Sequence, residues 1–97
     1  MNTARKSVNI GGTTRWHDDR DRLHRDDGPA VIYPYGVEKW FRHGKMHRED
    51  GPALLGTRHP GVWYLNNIKV LTYEEFQKIL GCGDDYIIFL KLRWGEF

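Results

Sequence analysis

Apolar residues occur along the chain in short runs of the kind that strands prefer. Continuous apolar runs at 30–33 and 53–55 lie beside Gly- and Pro-containing stretches, and such runs predict buried strands. Near the C-terminus, Ile88, Leu90, Leu92 and Trp94 alternate with Lys91 and Arg93, and this pattern predicts a final strand over residues 86–94. The 11 glycines of the 97-residue chain also favour turns between short strands. These patterns together predict a mainly β protein.

One segment departs from this pattern and predicts a helix. Apolar residues between 73 and 80 recur at helical spacing, and Gly81 is a favoured stop. Thr72 and Glu75 have the spacing of a capping box, and Leu71 with Phe76 has that of a hydrophobic staple. We therefore expect one helix after position 70 to cover an open end of the sheet.

A repeated block of seven residues organises the chain. His-Arg-Asp-Asp-Gly-Pro-Ala at 24–30 returns 23 residues later as His-Arg-Glu-Asp-Gly-Pro-Ala at 47–53. Trp16, Trp40 and Trp63 recur at nearly the same interval. A fixed period of this length indicates stacked structural units. The sequence therefore predicts an antiparallel β-hairpin repeat meander of two and a half repeats, with units at 16–39, 40–62 and 63–70.

The whole chain is short enough to form one domain. Residues 1–15 are predicted to be a lead-in, 16–70 the β-repeat region, and 71–97 the capping helix with the terminal strand. We expect each repeat to pack its tryptophan on the next repeat.

The predicted hairpin tips carry residues that tolerate a positive φ. Two-residue hairpin turns need φ > 0, and Gly44 after His43 and the pair Asn66 and Asn67 suit this requirement. The first repeat has one extra residue here, so its tip at 18–21 is expected to be longer and strongly polar.

The last part of each block has the composition of a turn. The predicted turn residues are Asp27, Gly28 and Pro29 in the first block and Asp50, Gly51 and Pro52 in the second. In such a turn the carboxylate caps the backbone, glycine supplies an unusual φ, and proline fixes the exit direction.

Composition and charge narrow the classes of function. Lys plus Arg is 15 and Asp plus Glu is 13, so the formal net charge is +2 with neutral histidines, and a general nucleic-acid binder is not expected. Cys82 is the only cysteine, which excludes an intramolecular disulfide and fits a reducing compartment. We find no apolar signal segment and no apolar run of the roughly 20 residues that span a bilayer. We therefore expect no membrane association and a cytoplasmic location.

The first part of each block offers the strongest candidates for binding. The candidate ligand- or partner-binding residues are His24, Arg25, His47, Arg48, Trp16, Trp40 and Trp63. Arginine matches phosphate or carboxylate with a planar fork of donors, histidine adds a donor of variable charge, and aromatic rings can stack on a base. The acidic residues of both blocks offset much of this charge. The same histidines and arginines can instead build the repeat, by packing on tryptophan and pairing with acids.

Other kinds of site receive less support from the sequence. Five histidines are available, but no cysteine pair or tight ligand spacing accompanies them, so we assign no metal site and no cofactor. Two histidines with arginines could serve acid–base cleavage of a phosphodiester. No Gly-rich phosphate loop or nucleophile accompanies them, and we assign no catalytic residue.

Residues 16–70 resemble short repeats with the signature His-Arg-x-Asp-Gly-Pro-Ala. These repeats are loosely related to MORN-type repeats and are found in small proteins of bacteriophages and large DNA viruses. The chain lacks the Gly-rich Tyr-Gly-Asp pattern of MORN-type repeats, so the similarity concerns the architecture. The resemblance implies a β-hairpin array that is used for binding, and a viral protein that antagonises a host factor, such as a defence factor.

These observations favour binding over catalysis. We expect a small phage-encoded protein that inhibits a host factor by capturing a host protein in the host cytoplasm. The alternative is sequestration of an anionic nucleotide-type signalling molecule by the His-Arg repeats, and the second alternative is a phosphodiesterase that acts on a cyclic nucleotide. An open edge strand would also allow two copies to pair, so a homodimer is expected.

Overall fold

The computed structural model describes residues 4–57 and 59–97, with the side chains of 59 and 60 outside the description. Residues 1–3, the start of the predicted lead-in, and residue 58 are likewise not described. Nine strands and two helices occur in the described ranges. They are β1 (Arg5–Val8), β2 (Thr14–His17), β3 (Val31–Ile32), β4 (Glu38–Lys39), β5 (Phe41–Arg42), β6 (Lys45–Met46), β7 (Leu54–Gly56), β8 (His59–Leu65), β9 (Ile68–Val70), α1 (Tyr73–Leu80) and α2 (Asp84–Trp94).

Antiparallel strands form most of the fold, which confirms the mainly β prediction. Seven strands lie in one sheet, in the order β1-β2-β3-β4-β7-β8-β9. β5 and β6 form a separate two-stranded sheet, so the chain leaves the main sheet after β4 and returns at β7. The continuous repeat meander is therefore not confirmed.

The predicted lead-in supplies the first strand of the sheet. β1 pairs with β2 along its whole length, and β2 begins at Thr14, before the predicted repeat boundary at Trp16. The register aligns Val8, Thr14, Ile32 and Glu38 in one row across four strands. The turn after β1 and the turn after β3 therefore lie at the same end of the strands.

The predicted hairpin tips are confirmed at two places. His43 and Gly44 join β5 to β6 with φ values of 48° and 82°, and Asn66 and Asn67 join β8 to β9 with φ values of 49° and 69°. Paired positive φ values match the right-handed twist of the flanking strands.

α1 is the helix that the sequence predicts. The Thr72 side chain accepts a hydrogen bond from the Glu75 backbone N–H, and Gly81 ends the helix in the left-handed region at φ 77°. The Glu75 carboxylate accepts a reciprocal bond from the Leu71 backbone N–H at 3.3 Å. α1 packs on β8 and β9 and so covers one end of the sheet.

The prediction of a final strand at 86–94 is wrong, because these residues belong to α2. Alternating apolar residues over this short stretch also recur four apart, so the pattern fits a helix as well as a strand. Asp84 and Asp85 at the start of α2 and Arg93 near its end suit the helix dipole. Ile87 and Leu90 are buried against the core, and this packing decides the conformation.

The main hydrophobic core lies between the β8–β9 hairpin and the two helices. It consists of Trp63, Leu65, Val70, Tyr73, Phe76, Ile87 and Leu90. The molecule is thin, with extents of 42 × 32 × 19 Å. Neither helix in the described ranges is long and apolar enough to cross a membrane.

Candidate functional site

Each block places its arginine over the tryptophan of its own repeat. The guanidinium carbon of Arg25 lies 3.9 Å from the centroid of the Trp16 ring, and that of Arg48 lies 3.9 Å from the centroid of the Trp40 ring. A cation over an aromatic face at this distance contributes about 0.5–2 kcal/mol, depending on how far it is desolvated. Trp16 and Trp40 therefore contact the arginine of their own repeat, whereas the sequence predicts packing on the next repeat.

The same arginines bind two acceptors inside the block. Arg48 donates from Nε to the Asp50 carboxylate at 2.8 Å and from Nη1 to the Pro52 carbonyl oxygen at 3.1 Å. Arg25 makes the equivalent bonds in the first block at 3.1 and 3.2 Å. The Arg48 side chain is 8% exposed and that of Arg25 is 24% exposed. Both guanidinium groups are thus engaged within the protein, that of Arg48 more completely than that of Arg25.

In each block a side chain approaches the glycine closely. Neither Gly28 nor Gly51 is among the described glycines with a positive φ, so the expected unusual φ does not explain them. An ideal Cβ on Gly28 would lie 2.7 Å from the Arg25 guanidinium carbon, and one on Gly51 would lie 2.6 Å from a Trp94 ring atom. Both distances are too short for a real Cβ. The arginine and Trp94 occupy the space that a side chain would take.

The histidine of each block connects its repeat to the hairpin turn of the next repeat. The His43 backbone N–H donates to Nδ1 of His24 at 2.9 Å, and the Asn66 backbone N–H donates to Nδ1 of His47 at 3.1 Å. His43 and Asn66 are the first residues of the two tight turns. Because Nδ1 accepts, the neutral rings carry their proton on Nε2. Each buried histidine therefore fixes the position of the following turn.

The acidic residue that differs between the blocks, Asp26 or Glu49, faces the imidazole of its own block. Nε2 of His47 lies 2.8 Å from the Glu49 carboxylate, and Nε2 of His24 lies 3.4 Å from the Asp26 carboxylate. Arg42 on β5 connects the two acids, at 3.2 Å from Glu49 and 3.9 Å from Asp26. The network uses a carboxylate at this position, which explains why Asp and Glu can replace one another there.

A pocket of about 230 Å³ lies between the two blocks. Four of the predicted binding residues, Arg25, Trp40, His47 and Arg48, line it. The rest of its described lining is Asp26, Asp27, Arg42, Glu49 and Asp50. Three guanidinium groups thus face four carboxylates, and the pocket has no excess of positive charge. Of the other candidates, His24 is buried beneath the β5–β6 turn, Trp16 lies under Arg25, and Trp63 belongs to the core.

α2 contacts the second block through two residues that sequence reasoning missed. Tyr86 donates from its hydroxyl to the Glu49 carbonyl oxygen at 2.7 Å, and Trp94 donates from Nε1 to the Asp50 carbonyl oxygen at 2.8 Å. The Trp94 ring also lies 5.1 Å from the Arg48 guanidinium carbon. Burial, followed by the negative charges of Asp50 and Glu49, raises the pKa of Tyr86. The helix therefore stabilises the second block and leaves the first without an equivalent cover.

Asp18 anchors the long first hairpin tip, a role that the sequence did not indicate. Its buried carboxylate accepts bonds from the backbone N–H groups of Arg20 and Arg22, from Nε of Arg22 and from Nδ1 of His43, all at 2.9–3.0 Å. Burial acts to raise the pKa of Asp18, but these hydrogen bonds outweigh it and hold the pKa well below its usual range. Asp18, His24 and His43 offer ligand atoms within 4.8 Å of one another, yet protein donors already engage both carboxylate oxygens and Nδ1 of His24.

A second surface, the apolar rim, is formed by Ile10, Tyr33, Pro34 and Tyr35. Ile10 is fully exposed in the turn after β1, and Tyr35 is 67% exposed in the turn after β3. The two turns approach each other closely, since an ideal Cβ on Gly12 would lie 3.6 Å from Cβ of Pro34. The Tyr33 and Tyr35 rings are stacked, with their centroids 5.3 Å apart. The sequence predicts Ile10 in the lead-in and Tyr33 in a strand, and it does not predict this surface.

Comparisons with known proteins identify no relative of this chain. A scan against protein-family models, a search of curated proteins and a search of solved structures each found no match.

Proposed function

We propose that this chain is a small non-enzymatic binding protein that captures another protein through the apolar rim. The observation that carries the proposal is the exposure of Ile10 and Tyr35 on two turns that lie at the same end of the sheet. By contrast, Arg25 and Arg48 bind acceptors within their own blocks, and the two block histidines hold neighbouring turns. The free apolar and aromatic surface thus lies outside the repeated blocks.

The rim has the physical properties of a protein-recognition surface. Tyrosine offers a large and rigid contact area at low entropic cost, and aromatic residues often contribute most of the energy of an interface. Stacking of Tyr33 on Tyr35 orders both rings before a partner binds, and Lys39 lies 5.3 Å above the Tyr33 ring. Preorganisation lowers the entropic cost of association. The rim therefore suits a partner that has an apolar patch on a folded surface.

The kind of partner follows from the resemblance to viral repeats. A phage-encoded protein of this size would act in the host cytoplasm, and capture of a host protein would inhibit that protein directly. We include a defence factor among the candidate targets. The resemblance alone supports this part of the proposal.

Capture by the rim can be tested with matched variants. Wild type, Ile10→Ser with Tyr35→Ser, and the control Ile68→Ser would be immobilised and exposed to bacterial lysate, and any recovered protein would be purified for direct titration. Ile68 is an exposed apolar residue on β9, outside the rim. We expect wild type and the control to bind the recovered protein equally, and the double variant to bind at least about tenfold more weakly. Equal binding by all three, or no recovery by wild type, would contradict the proposal.

Nucleotide capture at the pocket stays a prediction with weaker support. The favourable observation is that the Trp40 ring lines the pocket with three arginines, and that Trp40 Nε1 is buried without a hydrogen-bond partner among the described residues. The unfavourable one is the four carboxylates around the same space. A melting curve against mono-, di- and cyclic nucleotides and nucleotide-sugars tests it, and a rise of several degrees with one compound would support it.

A phosphodiesterase activity also stays a prediction. Nδ1 of His24 and Nδ1 of His47 each accept a backbone N–H, and the other ring nitrogen of each faces a carboxylate. Product formation from a cyclic nucleotide, lost when both histidines are replaced, would support this activity over binding.

A further inference from the structure

The outer face of α2 is apolar, although it points away from the core. This outer face consists of Ile88, Phe89 and Leu92, which are 55%, 48% and 83% exposed. Ile88 and Leu92 are four residues apart, and Phe89 lies beside them, so the three form one stripe. Ile87 and Leu90 occupy the opposite side of the helix and are buried in the core. A helix with apolar residues on both sides is incompletely covered in a single copy of the chain.

The charges at the ends of α2 indicate what covers this stripe. Asp85 lies in the first turn and Arg93 in the last turn, whereas Asp84 accepts from Nε2 of Gln77 and Lys91 lies 5.6 Å from the Tyr73 ring. Two copies of α2 packed antiparallel would place the acidic end of each helix beside the basic end of the other, with Phe89 near the centre. A parallel pair would instead oppose like charges at both ends. The charges of α2 are therefore complementary to those of a second α2 only when the two helices run antiparallel.

We propose that a second copy of this chain docks on the outer face, with α2 packed antiparallel against α2 about a twofold axis. Such an interface uses the same residues on both copies, as twofold dimers do. The exposed parts of the three side chains amount to roughly 400 Å² per copy, against about 800 Å² per partner in a standard interface. An interface of this size is expected to be weak. It would present two apolar rims, and a bivalent protein retains a multivalent partner more firmly than a monomer does.

Sedimentation velocity over a range of concentrations, roughly 1 to 500 µM, tests the dimer directly. Wild type should shift from monomer to dimer as concentration rises. Leu92→Ser should weaken association at least about tenfold, since a leucine side chain is then no longer buried. The control Ile68→Ser removes an exposed apolar side chain elsewhere and should associate like wild type. Far-UV circular dichroism would verify that each variant is folded.

Charge reversal tests the direction of the pairing. Asp85→Lys alone and Arg93→Glu alone should each abolish self-association, because every copy then opposes like charges at both contacts. An equimolar mixture of the two variants should form a heterodimer, since both contacts are complementary again. A monomeric wild type at every concentration would overturn the proposal. So would a dimer that survives Leu92→Ser, which would point to pairing along the β1 edge, and a mixture that stays monomeric.

These tests are separate from those of the rim. The variants lie on different surfaces, so each result bears on one proposal. Protein capture without self-association would contradict the dimer alone, and self-association without protein capture would contradict the rim alone.

Discussion

Replacement of Arg48 and of Arg25 by alanine makes the most informative pair of perturbations. The two arginines have the same neighbours within their blocks, and each stacks on a tryptophan at 3.9 Å. Only Arg48 also contacts Trp94, and its side chain is 8% exposed against 24% for Arg25. If the blocks hold the fold together, both changes destabilise the protein without any ligand, and Arg48→Ala does so more strongly.

The magnitude follows from the contacts that are removed. Arg48→Ala deletes a hydrogen bond to a carboxylate, worth about 1.5–3 kcal/mol, and leaves the buried Pro52 carbonyl without this donor. It also removes a largely desolvated cation–π contact of about 1–2 kcal/mol. We expect a total loss of about 3–4 kcal/mol, a large share of the 5–15 kcal/mol typical of a domain. For the more exposed Arg25 we expect about 1–2 kcal/mol.

Urea unfolding followed by tryptophan fluorescence, together with thermal melting, measures both losses. A difference of about 2 kcal/mol between the variants corresponds to roughly 8–16 °C in Tm for a domain of this size. Arg48→Lys keeps the charge but not the planar fork, and it should fall between wild type and Arg48→Ala. If both alanine variants stay within about 0.5 kcal/mol of wild type, the blocks do not stabilise the fold and the reasoning is refuted.

Further predictions concern single contacts. The pKa of Asp18 is lowered in the folded protein, so ionised Asp18 stabilises the fold above the unfolded pKa of about 4. This stabilisation is lost as pH falls below that value. Asp18→Asn should therefore flatten the acidic part of the curve of stability against pH, measured by urea midpoints. Gly51→Ala should lower the free energy of unfolding by about 2 kcal/mol or more, because the new Cβ meets Trp94. Gly83 has nothing within 4 Å, so the control Gly83→Ala should lower it by under about 1 kcal/mol, as measured by thermal melting. Equal losses would contradict the close-approach explanation. Thr72→Ala should cost about 1 kcal/mol and Thr72→Ser much less, and equal midpoints for the two would remove the capping role.

Local rules account for the features that the sequence predicted correctly. The tight turns depend on residues that accept a positive φ, and Gly44 and the pair Asn66 and Asn67 meet that requirement on their own. The start of α1 depends on Thr72 and Glu75, which are close in sequence. These interactions span three or four residues, so the sequence alone contains what is needed to find them.

The features that sequence reasoning missed depend on contacts between distant residues. The alternation in α2 fits two periods, and only packing of Ile87 and Leu90 on the core decides between them. Gly51 needs its small size because of Trp94, which is 43 residues away in the chain. The apolar rim needs the strand register that brings two turns together, and no local pattern specifies that register.

Hydrogen exchange at two backbone amides would test most directly whether the block histidines hold the following turns. His24→Ala should increase exchange at the His43 amide more than at the Asn66 amide, and His47→Ala should do the reverse, because each histidine accepts from one of them. Each amide is thus the control for the other, and a general loss of stability would affect both. The predicted result is this crossed pattern, measured by NMR without any ligand. Unchanged protection of both amides in both variants would contradict the structural role of the repeated block.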